Sequence, residues 1–202
     1  MSKLRRAAFF GGAALTGLVI AAGIVAVNLY RSGSDGTDAT GSSSLTRATL
    51  EQRFALLNRA HSNQCGLVSV DLKRFARNGR LQGSCCTPMD LHRYVEQVTG
   101  LRSYASVPEI PSDPYDISVD LAKRLITYDQ SIRLTPGQRE VYDRAVKLSD
   151  EGGPCCCHCW RWTAFEGQAE FLIAHRRYSA QQIAKIWGLE NGCGGRGKAH
   201  EA

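Results

Sequence analysis

The stretch GGPCCCHCWRW, residues 152–162, sets Cys155, Cys156, Cys157 and Cys159 within five positions, with His158 between the last two. Thiols this crowded admit four chemistries: a disulfide staple, covalent haem, a thiol redox centre or a soft-metal site. Haem is out of register, because a C-x-x-C-H read back from His158 and Cys157 would need its first cysteine at Pro154. Consecutive cysteines also bridge one another poorly. A disulfide wants Cα atoms about 4.4 to 6.8 Å apart, and neighbours across a trans peptide stand at about 3.8 Å.

A soft-metal site fits the spacing better. Cys156 and Cys159 form C-x-x-C, which lets two thiolates reach one ion, at about 2.3 Å for zinc. Cys155, Cys157 and His158 add local donors. The stretch QGSCCTPMD brings Cys85 and Cys86, and ENGCGGRGK brings Cys193 between glycines that let backbone approach closely. The candidate metal ligands are therefore Cys85, Cys86, Cys155, Cys156, Cys157, His158, Cys159 and Cys193, with an ion of the zinc or copper class. Met1 and Met89 are the only methionines, so the methionine-rich pattern of a copper carrier is absent. Two alternatives stay open on the same residues. One is a thiol–disulfide oxidoreductase with Cys156 attacking and Cys159 resolving. The other is an interaction protein stapled by disulfides, since eight cysteines is an even number. No catalytic residue is assigned. His61 stands four residues before Cys65 but has no third group to orient it, and His92, His175 and His200 belong to solvated faces or a polar tail.

The elements that must position these thiols read as helices. Thr87 with Pro88 and Asp90, Thr135 with Pro136 and Gln138, and Ser179 with Gln182 are start signals. Behind them Leu91, Val95 and Val98, then Val141, Ala145 and Leu148, then Ile183, Ile186 and Trp187 each describe one apolar face. Leu50, Phe54 and Leu57 mark a helix before Cys65. Val119, Leu121, Leu125 and Ile126 mark another after the proline-rich VPEIPSDP. No alternating run of strand length occurs, which predicts an all-α domain with loops over 63–84 and 103–116. The cysteine motif has two readings: it opens a helix with Gly153 and Pro154, or it lies in a loop before a helix started by Thr163 and Glu166. Either way Phe165, Ala169, Leu172 and Ile173 bury the helix that follows. Trp160, Trp162 and Trp187 read as core or interface aromatics.

Residues 1–31 read as an anchor. No charged side chain occurs from Ala7 to Tyr30, a length that crosses a bilayer core of about 30 Å as a helix. Lys3, Arg5 and Arg6 precede it and Arg31 follows, which by the positive-inside rule keeps the amino terminus cytoplasmic and the remainder extracytoplasmic. The expected location is thus the cell membrane, crossed once. Residues 32–44 are Gly/Ser-rich and read as a flexible tether, and 45–202 form the cysteine-rich helical domain. Across the chain 25 Lys and Arg stand against 19 Asp and Glu, a net charge of +6, too scattered to argue for nucleic acid. YSAQQIAKIWGL has the outline of the first half of a helix-turn-helix, but the glycines at 192, 194, 195 and 197 forbid a recognition helix after it. The membrane is the one partner expected.

Pro154, Cys155, Cys157 and Cys159 fall in the register P-C-x-C-x-C and resemble the PCYCGC-motif family of bacterial membrane-anchored proteins over roughly the region from Glu140 onward. Cys156 stands where the family has tyrosine and His158 where it has glycine. The resemblance implies an envelope location and thiol chemistry, and no reaction. Cys156, Cys159, Ser179, Ile183 and Gly188 are also similar in outline to the helical thiol reductases of cytochrome c maturation, which favours the redox alternative.

Overall fold

A computed structural model describes residues 38–195, with side chains from Arg47 onward. The anchor expected over 1–31 and the first part of the tether lie outside the described residues. Among those described, no helix is long and apolar enough to cross a membrane.

Six α-helices carry the domain: α1 Asp38–Leu57, α2 Leu91–Leu101, α3 Val119–Ser131, α4 Pro136–Leu148, α5 Trp160–Arg176 and α6 Ala180–Glu190. The all-α expectation holds with one addition, a two-stranded antiparallel ladder of β1 Arg80–Gln82 and β2 Asp116–Ser118 in the register Leu81 to Ile117. Strands of three residues are too short to show an alternating pattern. β1 lies inside the segment 63–84 expected to be a loop, and β2 begins at residue 116, the last of the other, and runs two residues past it.

The capping boxes expected at Thr135 and Ser179 form: each hydroxyl accepts from the backbone N–H three residues on, and Gln138 and Gln182 reach back. Thr87 is not a cap. Asp90 caps α2 instead, accepting from Arg93 N–H, because Thr87 and Pro88 are taken up by pairing with a distant segment, described below. α5 starts neither at Pro154 nor at Thr163. It starts at Trp160 with Cys159 at the N-cap position and no side-chain cap; the amide of Trp160 is satisfied instead by the Leu67 carbonyl at 2.8 Å.

The core lies around α5. Ala164, Phe165, Ala169, Leu172 and Ile173 are buried against Ala122, Leu125 and Ile126 of α3 and Ile183, Ile186 and Trp187 of α6. Fully burying a side chain such as Phe165 or Leu125 is worth about 1.5–3 kcal/mol. Gly167 lets α3 and α5 meet, since a Cβ there would stand 2.2 Å from the Leu125 carbonyl oxygen. Two expected faces are rotated. On α4 it is Tyr142 and Ala145 that are buried while Leu148 is exposed, and on α2 Tyr94, Gln97, Val98 and Leu101 turn inward with Leu91 and Val95 at the margin. Tyr142 wins its place because its ring meets Trp187 edge-on and its hydroxyl donates to Glu166. Tyr94 wins through a hydrogen bond to Asp113. Polar groups thus let large amphipathic rings displace aliphatic side chains from the inward stripe.

Candidate metal centre

Four segments converge at the amino-terminal end of α5. The first, 63–67, is held by Asn63, whose N–H donates to the Gln82 carbonyl at 3.0 Å and whose side-chain amide donates to the Gly83 carbonyl at 2.9 Å. Asn63 Oδ1 accepts from the Trp160 indole N–H at 3.0 Å. From the same segment Cys65 N–H donates to the Cys85 carbonyl. The second segment, 85–89, runs beside the fourth, 192–195: Cys85 N–H donates to the Gly192 carbonyl, Thr87 N–H to the Cys193 carbonyl, and Gly195 N–H to the Pro88 carbonyl. The Thr87 hydroxyl also donates to Cys193 O. This ladder is what removes Thr87 from capping duty. Gly194 makes it possible: φ is +83°, and a Cβ there would fall 2.0 Å from the Thr87 carbonyl oxygen. The third segment is the motif itself, 152–159, which enters α5 as a loop.

The sulfurs meet where these segments cross. Cys85 Sγ lies 3.4 Å from Cys86 and 3.7 Å from Cys193; Cys86 lies 3.8 Å from Cys156 and 3.9 Å from Cys157; Cys193 lies 3.2 Å from Cys155 and 2.8 Å from Cys156. Three overlapping quartets, each with all four Sγ atoms within 4.8 Å of one another, follow: Cys85, Cys86, Cys157 and Cys193; Cys85, Cys155, Cys157 and Cys159; Cys155, Cys156, Cys157 and Cys193. All eight cysteines are free thiols. Cys155, Cys159 and Cys193 are buried, Cys85 and Cys157 half-buried, and Cys65, Cys86 and Cys156 exposed, so the site has a dry floor and a wet rim.

Seven of the eight residues expected as ligands come together. His158 does not enter any of the quartets; its ring packs against Trp162 with centroids 4.0 Å apart. No quartet contains both Cys156 and Cys159, the C-x-x-C pair, because the loop sends Cys159 to the floor and Cys156 to the rim. Cys65, exposed and tied by its backbone N–H to the Cys85 carbonyl, lies at the rim although no quartet includes it. Its position there was not legible in the sequence, where nothing ties it to the other segments.

Arg161 was also missed. It is 1 % exposed and lies under the thiols. Its guanidinium donates to the Pro114 carbonyl at 2.9 Å and to the Glu190 backbone carbonyl at 2.5 Å, and packs over the rings of Trp160 and Phe165. Gly192 leaves the room, since a Cβ there would stand 2.5 Å from the guanidinium carbon. Among the described residues no carboxylate lies within ion-pair distance of Arg161, and its Nε has no hydrogen-bond partner. The signal was present as a single cation in the run Trp160-Arg161-Trp162 directly after the thiols.

The electrostatics follow from this arrangement. The Cys155 thiol is pushed far below its ordinary range, because Cys159, Cys193 and Cys85 donate S–H hydrogen bonds to its thiolate and Arg161 adds its charge, against the opposing effect of burial. Those three donors are pushed up, each largely through that same partnership with Cys155. Burial raises Cys157, and raises Cys86 to about 11. Burial works against the charge on Arg161, and the negative sulfur beside it, Cys155 first, outweighs that, so Arg161 is held charged. The metal-free thiols thus compete for protons as one group over a fixed cation. Cys159 sits at the positive end of α5, which further favours negative sulfur there.

A cleft of about 500 Å³ lies elsewhere, lined by Leu72, Lys73, Lys123 and Ile126 among others. It holds no cysteine.

No family model matches the chain, and no curated protein or solved structure matches it.

Proposed function

We propose that the domain binds a soft, thiophilic cation of the zinc or copper class through its cysteine site, as a membrane-tethered protein facing away from the cytoplasm. The observation that carries the metal reading is the convergence of sulfurs from separate segments into quartets of tetrahedral size. Zinc–sulfur distances of about 2.3 Å put the sulfurs of a tetrahedral site about 3.8 Å apart, and the contacts of Cys85 with Cys193 and of Cys86 with Cys156 are 3.7 and 3.8 Å. Thiolate-rich sites select such ions over hard cations. Metal binding would also keep these thiols from being oxidised in an extracytoplasmic compartment. Location rests on the uncharged run from Ala7 to Tyr30, the basic residues before it and the resemblance to the PCYCGC-motif family.

Elemental analysis of anaerobically purified protein tests the metal reading. The expected result is stoichiometric zinc or copper, with thiols that become available to alkylation when a chelator is added. Absence of metal, with thiols blocked until reduction, would sink it and point to disulfides, Cys156 with Cys193 first among them at 2.8 Å. Location is tested by a reporter active only outside the cytoplasm, fused after residue 202, which should be active.

A further inference from the structure

We propose that the site holds at least two divalent thiophilic cations at once, joined through shared thiolates with Cys157 as the common bridge. This rests on the soft-metal reading above and fixes its nuclearity. One tetrahedral cation is satisfied by four thiolates, and here the quartets outnumber what one ion can use. They cannot be filled independently: any two of them share two sulfurs, and Cys157 belongs to all three. Suppose one ion takes the most buried quartet, Cys85, Cys155, Cys157 and Cys159. Cys86, Cys156 and Cys193 are then left over, and these three already touch in series, at 3.8 Å and 2.8 Å. A second ion beside the first reaches Cys156 and Cys193 while sharing Cys155 and Cys157, completing the quartet Cys155, Cys156, Cys157 and Cys193.

The charges favour this arrangement. One dication with four thiolates carries two net negative charges; two dications with six thiolates, two of them shared, also carry two. The second ion therefore engages two more thiolates with no added negative charge. That matters over a floor where Cys155, Cys159 and Cys193 are buried, since uncompensated buried charge is costly. The guanidinium of Arg161, buried and without a carboxylate at ion-pair distance among the described residues, offsets one of the two. Each thiol that binds releases its proton to solvent. The contacts shorter than a tetrahedral edge, Cys155 to Cys193 at 3.2 Å and Cys156 to Cys193 at 2.8 Å, open toward about 3.8 Å on loading.

The full chain, in detergent and stripped of metal under anaerobic reducing conditions, is titrated with Cd(II), and bound ions are counted by native mass spectrometry. Cadmium NMR then reads whether the ions share a sulfur, through spin coupling between them. The expected result is saturation at two or more ions per chain with mutually coupled resonances. Cys157→Ser removes one of the two shared sulfurs and leaves each ion three thiolates, so the coupling falls and the second ion binds at least about tenfold more weakly, while His158→Ala, outside the quartets, keeps the wild-type number. The wild-type count stands even if Cys157→Ser does not fold, which circular dichroism of the stripped variant reports. Saturation at a single ion overturns the proposal and leaves the soft-metal reading intact. Two ions without coupling overturn the bridge. No bound cadmium overturns both readings.

Discussion

The two parts of α5 face different surroundings. From Ala164 to Ile173 the helix is buried in apolar side chains of α3 and α6, while its first residues, after Cys159, overlook the thiols and carry Arg161. The first region is held by burial on periodic helical faces. The second is held by backbone pairing among 63–67, 85–89 and 192–195 and by one buried cation. A site of the second kind concentrates thiols whose mutual contacts are weak, and a bound ion would supply the missing cohesion.

The largest expected effect tests whether the two regions are separable. Phe165→Ala should lower the unfolding free energy by about 3–5 kcal/mol, read by denaturant melts, with the number of bound cadmium ions unchanged below the transition. A parallel loss of metal would show one cooperative unit instead. Next, Arg161→Met should weaken metal affinity by about 10–100-fold in competition with a chromophoric chelator, and Arg161→Lys should recover part of it. Equal affinity in all three proteins would make Arg161 a packing residue.

A smaller effect concerns the polar layer beneath the cation. Glu190 is fully buried, and burial raises its carboxyl to about 8, opposed by the hydrogen bond from Gln168 and the charge of Arg161. The folded value lies above the ordinary 4.5, so the folded state holds the proton more tightly. Its stabilising contribution is complete below about pH 4.5 and is lost as pH rises through about 8, at up to about 1.4 kcal/mol per pH unit. Thermal melts of metal-free protein between pH 6 and pH 8 on that scale should therefore fall more steeply in wild type than in Glu190→Gln. Matching slopes would discard the assignment. Smallest of all, His158→Ala should change metal affinity less than about twofold, since histidine serves zinc only when its ring nitrogen reaches the ion and His158 stands outside the quartets. A tenfold loss would bring it back as a ligand.

The same division decides what could be read from the sequence. Elements of the core were legible because their signals are local: the boxes at Thr135 and Ser179 and the apolar stripe of α5 depend on residues three or four apart. Tyr142 and Tyr94 escaped that reading, since a ring with a hydroxyl counts as polar in a pattern and as core once its hydroxyl is satisfied. At the site the residue types were legible and the geometry was not. Convergence of Cys85, Cys86 and Cys193 on the motif was expected from chemistry alone. The parting of Cys156 from Cys159, the joining of Cys65 and the failure of Thr87 to cap all come from pairings across long separations, such as Thr87 with Cys193.

That pairing of 85–89 with 192–195 sets an order of assembly. Ribosomes deliver Cys193 after every other thiol of the cluster, and with it come Gly192, which accommodates Arg161, and Gly195, which seals against Pro88. Until that strap arrives the earlier sulfurs stand open to oxidants and to one another. Closure of the site therefore waits on the last of its four segments to leave the ribosome.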